Sequence, residues 1–207
     1  LSTETVSILD VVGRVSAKPL ASDIDIAPFA HSAMDGYALF AEDIADASED
    51  SPVVLEVIAE IPAGESYEGP IEHGQCVRIM TGAPVPVSLD AVVKFEIVEE
   101  LSAEGRTGGK AGFSAPTKIG SNIRAAGEEA KAGEVIVEAN EVISNAGVGF
   151  LAGCGIVDVT TYCRPRVAVI AIGSELIDPV EVPTGGRIRN SNSYAIAACV
   201  QAAGGVP

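Results

Sequence analysis

The spacing of apolar and polar residues predicts a mainly β structure for the middle of the chain. Three segments have strand-like patterns: residues 52–61, 76–80 and 91–101. The glycine-rich residues 103–110 then predict a hairpin turn, with residues 110–113 as the returning strand. Because no helical pattern interrupts this region, we expect one compact β domain of about 90 residues.

Helical spacing occurs on either side of this region. Residues 141–155 predict a helix with a glycine C-cap, and the strand 156–162 follows it. A second helix is predicted over 194–203, with N-cap candidates at 190–193 and Gly204-Gly205 at its end. Near the start, residues 4–13 predict a short helix, because Val6, Leu9 and Val12 would share one face.

Six successive apolar residues, Val167 to Ile172, predict a different kind of strand. Such a run is typical of a strand that is buried on both faces, as in a parallel sheet covered by helices. With the loop and helix that follow, it predicts the opening βα unit of an α/β domain. The expected fold class is therefore α/β plus mainly-β, in a multidomain chain.

Charge and cysteine content narrow the functional classes. The formal net charge of −16 argues against nucleic-acid binding through a basic face, and no apolar run is long enough to span a membrane. The four cysteines form no CxxC pair, which argues against a zinc site and favours reduced thiols and a cytoplasmic location. Leu1 is not a start methionine, so we expect a piece of a longer protein.

Two candidate binding positions lie in the predicted α/β segment. Glu175, in Gly173-Ser174-Glu175, follows the buried strand, where a carboxylate would meet a metal or a hydroxyl-bearing ligand. A solvated loop glutamate is the alternative. Residues 190–193 present amides and hydroxyls at a helix N-terminus, which suits an oxyanion, and simple capping is compatible with that.

Three further candidates lie in or beside the β region. Thr81 and Gly82 follow a strand in a turn that could form a small anion nest or be an ordinary turn. Arg124 could fork onto an oxyanion or pair with Glu128 and Glu129. Asp35 could act in a site or only cap a turn. No Ser-His-Asp order, P-loop or dinucleotide fingerprint supports a standard hydrolase, kinase or dehydrogenase.

Several long motifs occur together in one order. They are PFAHSAMDGYAL, CVRIMTGAPVP with LDAVV after it, SNIRAAGEE, RPRVAVIAIGSEL and GRIRNSNSYAIAACVQAAGG. In this combination the chain resembles the molybdopterin molybdenumtransferase family, the MoeA-type proteins related to the gephyrin E domain. The likeness covers nearly the whole chain.

The resemblance implies a specific reaction. Members insert molybdenum from molybdate into adenylylated molybdopterin, with Mg²⁺, and release AMP. It also implies an elongated homodimer whose cleft lies between the β domain of one subunit and the α/β domain of the other. Other molybdenum-cofactor biosynthesis proteins are further implied partners.

The resemblance carries residue roles to this sequence. Asp35 matches the aspartate of SAMDGYA, Thr81 the threonine of MTGAP, Arg124 the arginine of NIR, and Glu175 the glutamate of TGDEL. The implied catalytic residues are Asp35, Glu175 and Glu129, with Glu175 also the metal ligand. The implied substrate-binding residues are Thr81, Gly82, Arg124, Asn192 and Ser193.

The resemblance also implies a domain arrangement: a linker domain from residues 1–24 and 120–162, an inserted β domain at 25–119, and an incomplete molybdopterin-binding α/β domain at 163–207. Four departures from the family pattern stand at Ala30 with His31, Glu129, Ile172 and Ser174. They keep open a non-catalytic scaffold or binding protein of the same family. Because members continue beyond this length, we expect the fragment alone to be inactive.

Overall fold

A computed structural model describes residues 1–207. In chain order the strands are β1 (Thr3–Ser7), β2 (Leu20–Ala21), β3 (His31–Ser32), β4 (Gly36–Leu39), β5 (Val53–Ile61), β6 (Gln75–Ile79), β7 (Ala91–Lys94), β8 (Val98–Ser102), β9 (Lys110–Phe113), β10 (Ile123–Arg124), β11 (Val135–Val137), β12 (Asp158–Tyr162), β13 (Leu176–Ile177) and β14 (Ile188–Arg189). The helices are α1 (Asn145–Gly153) and α2 (Asn192–Ala202).

The chain forms two compact units, and the structure is mainly β with two short helices. Unit 1 contains Leu1–Ala21 and Val135–Pro207, and unit 2 contains Ser22–Glu134. The three-domain division with bounds at 25–119 and 163–207 stays a prediction. No helix has the length and apolar character needed to cross a membrane.

Unit 2 is built on a six-stranded sheet in the order β7-β4-β6-β5-β9-β8. All neighbours are antiparallel except β5 and β6, which are parallel. Apolar side chains cover both faces, because successive residues of a strand point to opposite sides. Tyr37 and Leu39 pack with Phe113 on one face, while Ala38 packs with Ile61 and Ile79 on the other.

The predicted strand over 52–61 and the predicted hairpin with its return at 110–113 are confirmed by β5, β8 and β9. The prediction of one long strand over 91–101 is wrong. β7 ends at Lys94, a short 3-10 turn follows, and β8 begins at Val98. β7 and β8 are the two edge strands of the sheet, and only residues 95–97 join them. The sheet is therefore curled, and its two edges lie near each other.

In unit 1, the prediction for residues 4–13 is wrong. The segment predicted as a helix over 4–13 instead forms β1, followed by the 3-10 turn Ile8–Asp10. β1 pairs along its whole length with β12, from Thr3 opposite Tyr162 to Ser7 opposite Asp158. This pairing with a distant segment provides hydrogen-bond partners for the backbone of β1. It outweighs the local apolar spacing that suggested a helix.

The helix predicted within 141–155 is confirmed as α1. The Ser144 hydroxyl accepts a hydrogen bond from the Gly147 amide at 3.1 Å and caps its start. Gly155 has φ +73° after its last turn, and the Ile156 amide donates to the Leu151 carbonyl, which is a Schellman ending. Leu151 is fully buried beside Val11 and Val159 in the core of unit 1.

The predicted buried strand over Val167–Ile172 is not formed. The only β pairing beside it is a parallel bridge between Arg166 and Val206, and Ile170 and Ile172 are 79% and 91% exposed. A doubly buried parallel strand needs strands beside it and helices on both faces, and a single bridge supplies neither. The helix predicted over 194–203 is confirmed as α2, with Gly204 at φ +85° after its end.

Candidate functional site

β3 brings three distant segments of unit 2 side by side. His31 pairs with Arg124 of β10 on one side and forms a bridge with Pro84 on the other. The Gly82 amide donates to the Ser32 carbonyl at 2.9 Å, and the Ser32 amide donates to the Ala83 carbonyl at 3.0 Å. The turn that carries Thr81 and Gly82 and the strand that carries Arg124 therefore flank the segment leading to Asp35.

Asp35 and Thr81 are in direct contact. Oδ1 of Asp35 accepts hydrogen bonds from the Thr81 backbone amide and from its hydroxyl, both at 2.7 Å. Gly82 has φ +82°, and the Ala83 amide donates to the Met80 carbonyl, so a tight turn presents Thr81 to the carboxylate. Asp35 is exposed, and its second carboxylate oxygen has no hydrogen-bond partner within the chain.

These hydrogen bonds stabilise the ionised form of Asp35. The Thr81 amide, followed by the Thr81 hydroxyl, lowers the pKa of Asp35 below its ordinary value of 3.8, and the charge of Arg78 adds to the effect. Asp35 is therefore an anchored carboxylate near neutral pH, with one oxygen available to a ligand.

The glycine after Asp35 is required by the packing of the sheet. Gly36 is buried and pairs with Lys94 of β7, and the Phe95 amide donates to the Asp35 carbonyl at 3.2 Å. The Val93 carbonyl lies so close to the Gly36 Cα that a side chain would overlap it. This close approach fixes the point at which the Asp35 side chain leaves the sheet.

Arg78 contributes to the site and was missed from the sequence. It pairs with Glu100, with Nη1 and Oε1 3.0 Å apart, and its guanidinium lies 5.9 Å from the centre of the Tyr37 ring. The only sequence signal is its position in the alternating residues 76–80, which places it on the same face of the sheet as Tyr37.

Arg124 and Glu129 lie on the surface of unit 2. Their nearest side-chain atoms are 4.0 Å apart, and the two side chains are 52% and 58% exposed. An exposed pair at this distance contributes little to stability. Glu128 has a local role, because its carboxylate accepts a hydrogen bond from the Ala125 amide. Arg124 can therefore turn towards an incoming anion at small energetic cost.

A second group of predicted site residues lies in unit 1. Glu175, Asn192 and Ser193 all line one cavity of about 390 Å³, together with residues 169–172 and 188–191. Asn190 caps α2, since its Oδ1 accepts the Ser193 amide at 3.2 Å and its amide group donates to the Ser193 hydroxyl at 2.9 Å. The Glu175 carboxylate lies against Gly173, where a Cβ atom would obstruct it.

Glu175 is the one carboxylate among the residues that line this cavity. No group of three His, Cys, Asp or Glu side chains is arranged to hold a metal ion. A single carboxylate beside a polar cavity is nevertheless a usual arrangement for Mg²⁺, which keeps several waters and often binds substrate phosphates.

Comparison with known proteins identifies the family of this chain. The protein family described as the MoeA N-terminal region (domain I and II) matches residues 1–155. The chain belongs to the MoeA family. The family resemblance seen in the sequence motifs is therefore confirmed, and residues 1–155 are its N-terminal domains I and II.

Named relatives share about a third of their residues with this chain. A molybdopterin molybdenumtransferase of a Nostoc species is 35% identical over 205 residues, which is 99% of this chain and 46% of the relative. The Bacillus subtilis enzyme of the same name is 34% identical over 205 residues, 99% of this chain and 47% of the relative. The chain thus spans about half the length of these MoeA relatives.

Solved structures show the same fold. Two crystal structures of the molybdopterin biosynthesis MoeA protein of Pyrococcus horikoshii match with TM-scores of 0.83 and 0.89, each at 34% identity. The matches cover 99% and 100% of this chain, and 51% and 53% of the two solved chains.

Proposed function

We propose that this chain provides part of the active site of a molybdopterin molybdenumtransferase. The natural protein would insert molybdenum from molybdate into adenylylated molybdopterin and release AMP. The observation that carries this proposal is the Asp35–Thr81 pair, an ionised carboxylate held by a tight turn in a MoeA-family chain. The relatives that bear the enzyme's name support the reaction.

The groups around Asp35 suit an anionic substrate. Molybdate and the phosphates of an adenylylated pterin are oxyanions, which bind to hydroxyls, guanidinium groups and backbone amides. Arg124, beside β3, supplies such donors. The Thr81 amide and hydroxyl are both donated to Asp35, so Thr81 would bind the substrate by exchanging its hydroxyl hydrogen bond. Asp35 accepts hydrogen bonds only, so we assign it to hold a protonated oxygen or a water in the site.

The cavity in unit 1 is assigned to the same substrate. Ser193 and Asn192 begin α2, where the helix dipole favours an anion, and Glu175 lies on the wall of the same cavity. We propose Glu175 as a single carboxylate ligand of Mg²⁺, with waters and substrate phosphates as the others. Glu129 would act beside Arg124.

Several wider properties belong to the proposal as well. We propose that the natural protein is a cytoplasmic homodimer whose cleft is completed by two subunits, and that other molybdenum-cofactor biosynthesis proteins are its partners. Residues 163–207 would belong to a larger α/β domain, as expected if the relatives' additional length follows this segment.

The test is AMP release by the complete natural protein that carries these residues. It is incubated with adenylylated molybdopterin, molybdate and Mg²⁺, and AMP is measured over time. Asp35→Ala should abolish AMP release while the free energy of unfolding stays within about 1 kcal/mol of the parent value, as for an exposed site. Asp46→Ala, which changes an exposed aspartate with no side-chain partner, is the matched control and should release AMP at the parent rate.

The alternative function gives a different result. Ile172 and Ser174 stand where the family motif has a hydroxyl and an acid, and Ile172 is 91% exposed. If the parent protein binds the adenylylated substrate and releases no AMP, the reaction is wrong and a scaffold or binding protein of the family takes its place.

A further inference from the structure

Unit 1 contains a cavity of about 740 Å³ that shares no residue with the cavity beside Glu175. Three arginines and no aspartate or glutamate line it, so we call it the arginine cavity. Its volume is in the range of small-molecule sites. The chain has only 13 Lys and Arg against 29 Asp and Glu, so this concentration of cations is unusual in the molecule. The lining consists of residues 1–2, 13–15, 140, 162–166 and 203–204.

Arg14 is the buried charge of the arginine cavity. It is 8% exposed, and its Nη2 atom donates to the Glu4 carboxylate and to the Tyr162 carbonyl. Its Nη1 and Nε groups have no hydrogen-bond partner within the chain. Because unused donors on a buried guanidinium cost free energy, they favour an acceptor in the adjoining cavity.

Arg164 and Arg166 bring two more guanidinium groups to the same cavity. Both residues are exposed, and neither side chain forms an ion pair within the chain. Their backbone is nevertheless fixed. The Val206 amide donates to the Pro165 carbonyl at 2.8 Å, and the Val167 amide donates to the Val206 carbonyl at 2.9 Å. Unpaired guanidinium groups on a fixed backbone are suited to binding an anion.

A further donor and an aromatic ring belong to the lining. The Asn140 Oδ1 atom accepts a hydrogen bond from the Tyr162 hydroxyl at 3.0 Å, which leaves the side-chain amide group of Asn140 available as a donor. The Tyr162 ring, together with Val15 and Pro165, gives the cavity an apolar wall. Because the cavity is much larger than a phosphate group, an organic group fits beside the charged one.

The charges at the arginine cavity select the class of ligand. Three arginines and the single Glu4 carboxylate, which pairs with Arg14, leave a net charge of +2. A phosphate monoester carries about −1.5 to −2 at neutral pH and has three acceptor oxygens. A carboxylate has one negative charge and two oxygens, so it leaves more of the cationic groups unpaired.

We propose that the arginine cavity binds a phosphate monoester of a small organic molecule. The phosphoryl group binds the three arginines, and the organic group packs against the Tyr162 ring. This site is independent of the proposed function, since its lining contains none of the residues assigned to the reaction.

Alkylation of Cys163 tests the site locally, because this half-buried thiol lines the arginine cavity. The complete natural protein is treated with iodoacetamide, and the rate at each cysteine is followed by peptide mass spectrometry. The probe is phenyl phosphate. We expect it to slow alkylation of Cys163 at least fivefold, with saturation, and to leave the rate at the exposed Cys199 unchanged. Equal protection of both thiols, or of neither, overturns the proposal.

Two further probes test the two halves of the ligand by calorimetry at constant ionic strength. Phenyl sulfate has the same shape as phenyl phosphate but one negative charge, so its Kd should be at least tenfold higher. Inorganic phosphate lacks the organic group and should also bind more weakly than phenyl phosphate. Equal Kd values for the sulfate and the phosphate esters contradict the charge assignment. Binding of inorganic phosphate as tight as that of phenyl phosphate contradicts the role of the apolar wall.

Arg164→Gln and Arg166→Gln localise the binding. Each removes one exposed guanidinium, and Arg187→Gln makes the same change at an exposed position of unit 1 outside the cavity. We expect the Kd for phenyl phosphate to rise at least fivefold in each cavity variant, as for a lost hydrogen bond to a charged group, and less than twofold in Arg187→Gln. Equal changes in all three variants, or unchanged affinity in both cavity variants, overturn the site.

Arg124→Gln distinguishes this site from the candidate substrate site in unit 2. Arg124 does not line the arginine cavity, so the Kd for phenyl phosphate and the protection of Cys163 should both be the same as in the parent protein. If Arg124→Gln abolishes binding of the probe, phenyl phosphate occupies the substrate site and the arginine cavity is not its binding site.

Discussion

Gly36 and Val93 lie so close together that a Cβ atom on Gly36 would overlap the Val93 carbonyl oxygen. Gly36→Ala therefore forces β4 and β7 apart, and we expect a loss of about 1–3 kcal/mol in the free energy of unfolding, as for overpacked sites. Urea unfolding followed by circular dichroism measures it.

The same substitution should act in the opposite direction in α1. Gly149 is an exposed helical glycine, and a Cβ atom added there would have no atom within 4 Å. Gly149→Ala should raise the free energy of unfolding by about 0.5–1 kcal/mol, because alanine loses less backbone entropy in a helix. Equal effects at the two positions would contradict the close approach at Gly36.

The two donors of Thr81 make unequal contributions to the pKa of Asp35. The backbone amide lowers it most and the hydroxyl second. Thr81→Val removes only the hydroxyl, so the pKa of Asp35 should rise part of the way towards 3.8 and remain below it. Carbon-detected NMR titration of the carboxyl group measures the change, and no shift would show that the hydroxyl is not a donor in solution.

The same pair affects stability at acid pH. The folded state lowers the pKa of Asp35, so this carboxylate stabilises folding above its unfolded pKa, and the stabilisation is lost as pH falls through the folded pKa. Thr81→Val should reduce this acid-dependent part, and Asp35→Asn should remove it. Unfolding free energies measured by circular dichroism between pH 2 and 6 test this. The pH dependence should be largest in the parent, smaller in Thr81→Val and smallest in Asp35→Asn.

His73 should give a pH dependence of the opposite sign. Its Nδ1 contacts the Asp43 carboxylate, whose other oxygen accepts the Gly74 amide at 2.9 Å. The hydrogen bond to Asp43 and then its charge raise the pKa of His73 above 6.5. The resulting stabilisation is present below pH 6.5 and is lost as pH rises through the folded pKa.

The control for this prediction is His73→Gln, which cannot titrate. The difference in unfolding free energy between parent and variant should be largest below pH 6.5 and should decline above it. A difference that is independent of pH would show that the pair makes no charged contact in solution.

Asn122 connects β7 to the segment that carries Arg124. It has φ +53°, its side-chain amide donates to the Val92 carbonyl at 2.8 Å, and its carbonyl accepts the Ala33 amide at 2.9 Å. Asn122→Gly loses the side-chain hydrogen bond to Val92, but glycine adopts a positive φ without strain. Asn122→Ala loses the same hydrogen bond and is also strained at a positive φ. We expect Asn122→Ala to be less stable than Asn122→Gly by about 1 kcal/mol. The reverse order in urea unfolding would contradict the left-handed conformation.

Local signals in the sequence predicted the elements that local interactions stabilise. The hairpin at 103–110 follows from its glycines. α1 follows from its apolar spacing and glycine C-cap, and α2 from the N-cap candidates at 190–193 and the glycines after its end. In each case the residues that determine the structure are neighbours in the chain.

The wrong predictions concern segments whose structure depends on residues far away in the chain. The segment predicted as a helix over 4–13 begins with the strand β1 (Thr3–Ser7), because β12 lies far along the chain and pairs with it. Residues 91–101 break because their two halves belong to opposite sheet edges, and an apolar run such as Val167–Ile172 looks the same whether or not neighbouring strands cover it. Only long-range pairing decides these cases.

In the candidate site, too, some features were predicted from the sequence and others were not. Motif resemblance selected Asp35 and Thr81, and the structure shows them in contact. The effect of the Arg78 charge on Asp35 was not predicted, because alternation indicates only that Arg78 shares a sheet face with Tyr37. The catalytic and binding roles of Asp35, Glu129, Glu175 and the other selected residues stay predictions.

The position of β3 has a consequence for when the candidate site can form during folding. His31 takes its two partners, Pro84 and Arg124, from parts of the chain that are synthesised much later. Closing such long loops is slow and happens only when most of unit 2 has collapsed. A nascent or partly unfolded chain therefore lacks the arrangement that places the Thr81 turn and Arg124 beside the segment leading to Asp35.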